Sequence, residues 1–355
     1  MNTRKEQTEK LLIAHYQTYP KLQIEDIFKF LHQSSFGCEH LVSDTGAVIE
    51  YIREEAAKCQ FHMGELVEAL DGDYCRVHLE WIKAGLNPET LGKLFVFSAV
   101  PIKNGKELLE EKLEVFLDMV RKGVFSFDWE ETERKLADWK EAGYPAYHHS
   151  EVFRKNYHPA YRVIRKEYAL FLPLFLQVDR MLTMEKVTLA IEGGSASGKT
   201  TLSGVFKQIY SATVFHMDDF FLRPEQRTQE RYAQVGGNID KERFLEEVLI
   251  PMKKNEPIHY RRFDCSTFTI NPAVVMEPSE VTVVEGAYSM HPELAEFYNL
   301  SVFLDVSSQL QEERIRKRNS PDMAERFFKE WIPMENRYFE EMGVKERCDM
   351  EIDII

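Results

Sequence analysis

Gly193-Gly194-Ser195-Ala196-Ser197-Gly198-Lys199-Thr200 fits the phosphate-binding pattern GxxxxGK[ST], and the residues on either side supply the context that pattern needs. Ahead of it, Val187-Thr188-Leu189-Ala190-Ile191 reads as a buried strand. Behind it, Thr200 to Tyr210 reads as a helix with Leu202, Val205, Phe206 and Ile209 on one face. The glycines let the backbone curl so that successive N–H groups point at one anion, and the helix N-terminus adds the positive end of its dipole. Gly193 to Thr200, with Thr201 next to them, are therefore the expected nucleotide-binding residues. Lys199 is placed to reach the β- and γ-phosphates of ATP, and the Thr200 hydroxyl to sit on Mg²⁺. The alternative is a glycine-rich turn with no ligand; the flanking strand and helix argue against it.

The second half of the chain continues in the same alternation. Thr213-Val214-Phe215-His216, Val281-Thr282-Val283-Val284-Glu285, Leu300 to Val306 and Cys348 to Ile354 read as further strands, separated by helical segments. Strands alternating with helices imply a parallel sheet covered on both faces, with ligands at the carboxyl ends of its strands. The suggestive residues fall at those ends. Asp218-Asp219-Phe220-Phe221 follows the second strand, where a carboxylate can take a proton from an acceptor hydroxyl and the rings can form an apolar wall. An acidic turn that caps the next segment is the plainer alternative. Glu285 ends the third strand, as a magnesium-organising carboxylate should, and Gly286 lets the chain turn away. Asp305, at the end of the fourth, competes for that role.

From about Lys186 to Asp349 the chain resembles the uridine kinase-like family of P-loop small-molecule kinases. The marks are the GGSASGKT loop, Asp218-Asp219-Phe220-Phe221, Gly237-Asn238-Ile239-Asp240, Val284-Glu285-Gly286 and the basic run Arg314 to Arg318. The resemblance implies that Asp218 is the acceptor's general base, that Asp240 contacts ribose hydroxyls and that Glu285 helps to hold Mg²⁺. It also favours reading Arg314 and Arg318, four apart on one helix, as lid arginines that reach the transferring phosphate; a solvated basic face is the bland reading. The chain departs from the family at base recognition. In Pro257-Ile258-His259-Tyr260-Arg261-Arg262-Phe263-Asp264, Tyr260 and Arg262 are candidates for the acceptor pocket, but the family's pyrimidine-reading histidine has no clear counterpart.

Residues 1–182 show mostly helical periodicity, over Lys5 to Tyr16, Ile24 to Leu31, Ala47 to Lys58, Lys106 to Arg121 and Trp129 to Ala142. A last helix is expected to begin near His158-Pro159 and run through Tyr161, Ile164, Tyr168, Phe171 and Phe175, kinked at Pro173. Eight of the eleven histidines lie in this half. His148, His149 and His158 with Arg154 and Arg162, and Gly37-Cys38-Glu39-His40 earlier, leave three readings open: structural roles, an anion or nucleotide site, or a metal site.

The net charge of −14 argues against a protein that lives on nucleic acid or anionic membrane. No apolar run approaches the roughly 18 residues of a membrane span, and the start reads as a polar helix rather than a leader. The five cysteines are scattered without a CxxC pair, which fits a reduced, cytoplasmic setting. The reading is thus an α/β P-loop NTPase fold of the nucleoside or NMP kinase type over residues 183–355, preceded by a mainly α-helical domain. It would be an ATP- and Mg²⁺-dependent kinase for a nucleoside-like acceptor, uridine first, with a homo-oligomer compatible. Nicotinamide riboside, pantothenate or a sugar is the alternative acceptor, and a nucleotide-binding regulator acting through the helical domain is the rival of another class.

Overall fold

A computed structural model describes residues 2–38, 44–60 and 64–354. The chain divides into two compact units, Met1–Asp179 and Arg180–Ile355.

The first unit is mostly helical, with α1 (Asn2–Thr18), α2 (Ile24–Phe36), α3 (Thr45–Lys58), α4 (Pro88–Ser98), α5 (Gly105–Arg121), α6 (Trp129–Glu141), α7 (Glu151–Tyr157), α8 (Lys166–Ala169) and α9 (Leu172–Met181). Local chemistry starts these helices: Asp44, Asn87, Asp128 and Ser150 each accept a hydrogen bond from a first-turn N–H. The paired helices α2 and α5 bury Ile27, Phe28 and Leu31 on one, and Leu109, Leu113 and Phe116 on the other.

The unit also contains an antiparallel sheet in the order β1 (Val67–Ala69), β2 (Tyr74–His78), β3 (Tyr161–Arg165). β3 overturns the expected helix from His158-Pro159. His158 closes α7 in the left-handed region at φ 44, and the chain then runs extended, with Val163 opposite Arg76 and Ile164 opposite Cys75. Burial of Arg162, Val163 and Ile164 in that ladder wins over the fortuitous three-and-four spacing of the aromatics. Helix resumes only at α8 and α9. Pro173 sits in the first turn of α9, where its missing N–H costs nothing, rather than at a kink.

The second unit is built on a five-stranded parallel sheet ordered β12-β11-β4-β10-β5, from β4 (Val187–Gly193), β5 (Thr213–His216), β10 (Val281–Glu285), β11 (Leu300–Val306) and β12 (Met350–Ile354). Its central strands carry near-continuous apolar runs, as strands buried on both faces must. Helix α10 (Lys199–Tyr210) follows β4, and α11 (Gln229–Ala233) follows β5. Then α12 (Lys241–Phe244) continues through a wide π turn into α13 (Ile250–Lys253). Two small antiparallel pairs follow: β6 (Ile258–Tyr260) with β9 (Val274–Met276), and β7 (Phe263–Asp264) with β8 (Thr269–Ile270). Cys265 is exposed in the turn of the latter hairpin, which packs against the Met217–Phe220 turn after β5. Past β11 come α14 (Ser308–Arg318), α15 (Pro321–Arg326), α16 (Ile332–Glu341) and α17 (Val344–Arg347).

Two glycines are dictated by close approach. Gly193 has φ 143, and a Cβ there would lie 2.6 Å from the Leu304 carbonyl oxygen. Gly286 has φ 141, with Met217 Cβ equally near. A side chain at either position would push the sheet's carboxyl edge apart, and with it the loops that carry the site.

Candidate active site

The register of the sheet brings the sequence candidates to one edge. β4 delivers the glycine loop, β10 beside it ends in Glu285, and β5 beside that ends in His216, with Asp218 and Asp219 just beyond. The loop bends at Ala196, a non-glycine residue at φ 60, and at Gly198, which opens α10 at φ 103. The first-turn N–H groups of α10 have no intrahelical partner and present the positive end of the dipole, the arrangement that seats an anion. Lys199 is buried and its Nζ donates to the carbonyls of Gly193 and Gly194, both at 2.8 Å.

Thr200 Oγ1 donates to Glu285 Oε1 at 3.0 Å, and His216 Nδ1 lies 2.6 Å from the same oxygen. That bond to Glu285 raises the His216 pKa against the opposing effect of burial. Thr200 and Glu285, expected to share a magnesium ion, therefore touch, and their oxygen donors suit a hard cation. Asp305 is otherwise engaged: Lys345 Nζ bonds it at 2.6 Å and Glu351 at 2.6 Å. Among the described residues, Asp305, Glu351 and Asp353 form the one group of three carboxylates close enough to hold a metal, and this lysine already bonds two of them.

Asp218 is exposed just past the end of β5, yet neighbouring atoms still crowd its carboxyl. Desolvation pushes its pKa up; Lys199 opposes this, while Glu285 and Asp219 add repulsion. A carboxylate held above the usual range is a better proton acceptor. Asp219 is half-buried and raised by desolvation, against the pull of Arg262 3.4 Å away.

The expected acceptor wall is corrected in part. Phe220 and Tyr260 are both 0% exposed: Phe220 packs edge-on against Phe244 under the Arg243 guanidinium, and Tyr260 packs on Phe215. They belong to the core rather than to an open surface, because the apolar area of two rings is worth more buried. Arg262 stays near the site, bonding the Tyr260 hydroxyl at 2.9 and 3.1 Å beside Asp219. Asp240 is buried, caps α12 and pairs with Arg243 at 3.0 Å. It lines the floor of an open cleft of about 460 Å³ with Arg223, Thr228, Gln234 and Glu247.

The two lid candidates separate. Arg314 Nη1 donates to the Ala196 carbonyl at 3.1 Å, on the glycine loop itself. Arg318, the last residue of α14, instead stacks over Phe327, 5.6 Å from the ring centre.

Sequence reasoning missed two carboxylates. Glu192 is fully buried at the end of β4, where it accepts from the N–H groups of Gly193 and Met290 and from the Tyr338 hydroxyl. Burial pushes its pKa up to about 7 despite those donors. An acid closing an apolar strand just before the glycines was a legible signal. Glu335 bonds Ser195 from 140 residues away, for which no local pattern exists.

The histidine-rich set of the first unit does not converge. His149 turns inward, bonding Asp26 Oδ1 at 3.0 Å and the Tyr161 hydroxyl at 2.7 Å, whereas His148, His158 and Arg154 are exposed. Arg162 pairs with Glu55 at 2.9 Å, and the buried Cys38 faces the Phe95 carbonyl. Glu39 and His40 lie outside the described residues. What is described are structural roles. From His149 a buried polar chain runs through Tyr161 and Gln33 to Arg76, which pairs with Glu68 at 3.1 Å, and Glu68 in turn meets His15.

Comparison with known proteins agrees with this geometry for the second unit. A family model described as the phosphoribulokinase / uridine kinase family matches residues 188–329. The uridine kinase of Oceanobacillus iheyensis is 28% identical over 156 residues, covering 41% of this chain and 72% of that protein. That of Limosilactobacillus reuteri is 26% identical over 149 residues, 39% of this chain and 66% of its own length. A solved structure of "a Possible Uridine Kinase from Bacillus stearothermophilus" aligns with 51% of this chain and all of its own, at a TM-score of 0.39 and 22% identity. These matches leave the first unit aside. Residues 188–329 are thus the part of the chain that matches the phosphoribulokinase / uridine kinase family.

Proposed function

We propose that the second unit transfers the γ-phosphoryl group of ATP to a primary hydroxyl of a nucleoside-like acceptor, with uridine the first candidate. The observation that carries this is the meeting of Lys199, Thr200, Glu285 and Asp218 at the carboxyl ends of three adjacent strands. Thr200 and Glu285 would hold Mg²⁺, which supplies charge neutralisation on the phosphates. Asp218 takes the proton as the acceptor oxygen bonds to the γ-phosphorus and the bridge to the β-phosphate breaks, releasing ADP. Lys199 offsets the charge that builds on the transferring group. The raised pKa of Asp218 supports its role as base. Five unpaired thiols favour the cytoplasm as the setting.

One observation favours another acceptor class. The cleft beside Asp240 is lined by charged, amide and hydroxyl side chains without an aromatic ring, and Phe220 and Tyr260 are buried in the core. Such a wall hydrogen-bonds a polyhydroxylated acceptor, such as a sugar, better than it stacks a base. The test is γ-labelled ATP with a panel of uridine, cytidine, nicotinamide riboside, pantothenate and hexoses, read by mass spectrometry. A phosphorylated nucleoside supports the first reading and a phosphorylated sugar the second. ATP hydrolysis with no phosphorylated acceptor would point instead to a nucleotide-driven regulator.

A further inference from the structure

Helix α16 lies beyond the residues that match the family model, yet one of its faces fastens the start of the phosphate loop. Glu335 is 7% exposed; its Oε2 accepts from the Ser195 N–H at 2.8 Å and its Oε1 from the Ser195 hydroxyl at 2.7 Å. Three residues on, and so on the same side of the helix, Tyr338 donates to Glu192, which holds the Gly193 N–H. From α14, Gln311 donates to the Ser195 carbonyl at 2.8 Å and Arg314 to the Ala196 carbonyl. The bend they enclose includes Ala196 at φ 60, a conformation that is strained for a non-glycine residue and persists only where its surroundings impose it.

We propose that Glu335 is a positioning residue for the nucleotide site: acting through Ser195, it holds the lip of the loop so that the later N–H groups converge on the phosphates. The inference rests on the reading of this loop as a nucleotide site, but not on which acceptor is phosphorylated.

The charge of Glu335 makes its role separable from simple electrostatics. A carboxylate beside an anion site repels phosphate, so on charge alone its removal should tighten nucleotide binding. Positioning predicts the opposite sign. MgADP binding to the full chain, measured by titration calorimetry, should weaken about tenfold or more in Glu335→Ala, the scale of one lost charge-assisted hydrogen bond. Glu335→Gln retains an acceptor oxygen for the Ser195 N–H and should stay within about threefold of wild type. KM for ATP should rise more than kcat falls, whereas a merely structural role would lower the melting temperature and leave the affinity of the folded protein unchanged. Binding by Glu335→Ala equal to or tighter than wild type overturns the proposal, as does a Gln variant as weak as the Ala variant. Should Glu335→Ala fail to fold, Gln311→Ala releases the same loop from the other side; weaker binding is expected there, and unchanged binding overturns the proposal. A wild type that binds MgADP but phosphorylates no acceptor would overturn the proposed function and leave this inference standing. A wild type that binds no nucleotide overturns both.

Discussion

Lys199 illustrates what a single residue contributes here. Its ammonium group rests on two loop carbonyls, so replacing it removes the charge proposed to act on the phosphates without opening the apolar core. Lys199→Ala should therefore keep the wild-type circular dichroism spectrum while kcat/KM falls by about 10² or more, roughly 2.7 kcal/mol. A variant with more than about a tenth of the activity would move the catalytic centre elsewhere. Asp218→Asn keeps the size of the side chain but cannot take the proton, so turnover should drop by about 10² to 10⁴ with little change in nucleotide affinity. If Asp218 is the proposed base it must be ionised to act, and since its pKa is raised the acid limb of the wild-type kcat/KM profile should lie above the ordinary aspartate value. Residues of this kind were legible because each belongs to a short motif or a strand end. Glu335 and Gln311 were not, since they meet the loop from 140 and 116 residues away. Phe220 was legible as important but not as buried, because Phe244 and Arg243, which cover it, belong to another helix.

Elements repeat the lesson at larger size. The five strands of the parallel sheet follow from apolar runs bounded by glycine and charge, and each stands where those runs place it. β3 was misread because Tyr161, Ile164, Tyr168 and Phe171 happen to fall at helical spacing. What decides its state is its partner β2, more than eighty residues earlier. β2 in turn carries Arg76, whose guanidinium is fully buried, bonds Gln33 and Glu68 and lies 4.6 Å from the centre of the Tyr161 ring. Arg76→Ala would strip the Glu68 carboxylate of its guanidinium partner and Gln33 Oε1 of two donors, and should destabilise the first unit by roughly 3–5 kcal/mol, seen as an earlier urea midpoint. A shift under about 1 kcal/mol would mean that the buried pair contributes little to holding the sheet to α2.

The two units should answer pH in opposite directions across the whole molecule. In the first, burial lowers His15, His78 and His149, the last to about 4 from an ordinary 6.5. Burial pushes Asp26 and Glu68 up, but their hydrogen bonds and charged partners outweigh it and hold both low. The unfolded first unit thus binds more protons than the folded one in acid, and its stability rises with pH from about 4 to 6.5. In the second unit, Glu192 is raised from 4.5 to about 7, and Asp218, Asp219, Glu335 and His216 also shift upward; His291, lowered to about 4, opposes them. The stability that Glu192 contributes is thus lost as pH rises from 4.5 to 7, and His291 returns a similar amount from 4 to 6.5. The upward shifts of Asp218, Asp219, Glu335 and His216 tip the balance to a net fall across that range. Hydrogen exchange at pH 5 and pH 7, corrected for intrinsic rates, should show protection rising in β2 and β3 and falling in β4 and β10. Glu192→Gln should flatten the second trend alone; parallel trends in both units would refute the assignment.

One modest feature of the fold gives a practical handle on the acceptor side. Cys38, Cys75 and Cys348 have thiols pushed up to about 12 by burial, and Cys59 is half-buried and raised as well. Cys265 alone is exposed, in the hairpin packed against the Asp218 turn. Desolvation raises its own thiol pKa too, so it reacts best in mildly alkaline buffer. An environment-sensitive maleimide dye would therefore mark the unmodified natural sequence at one place, and under the proposed function its emission should change when an acceptor binds beside Asp218.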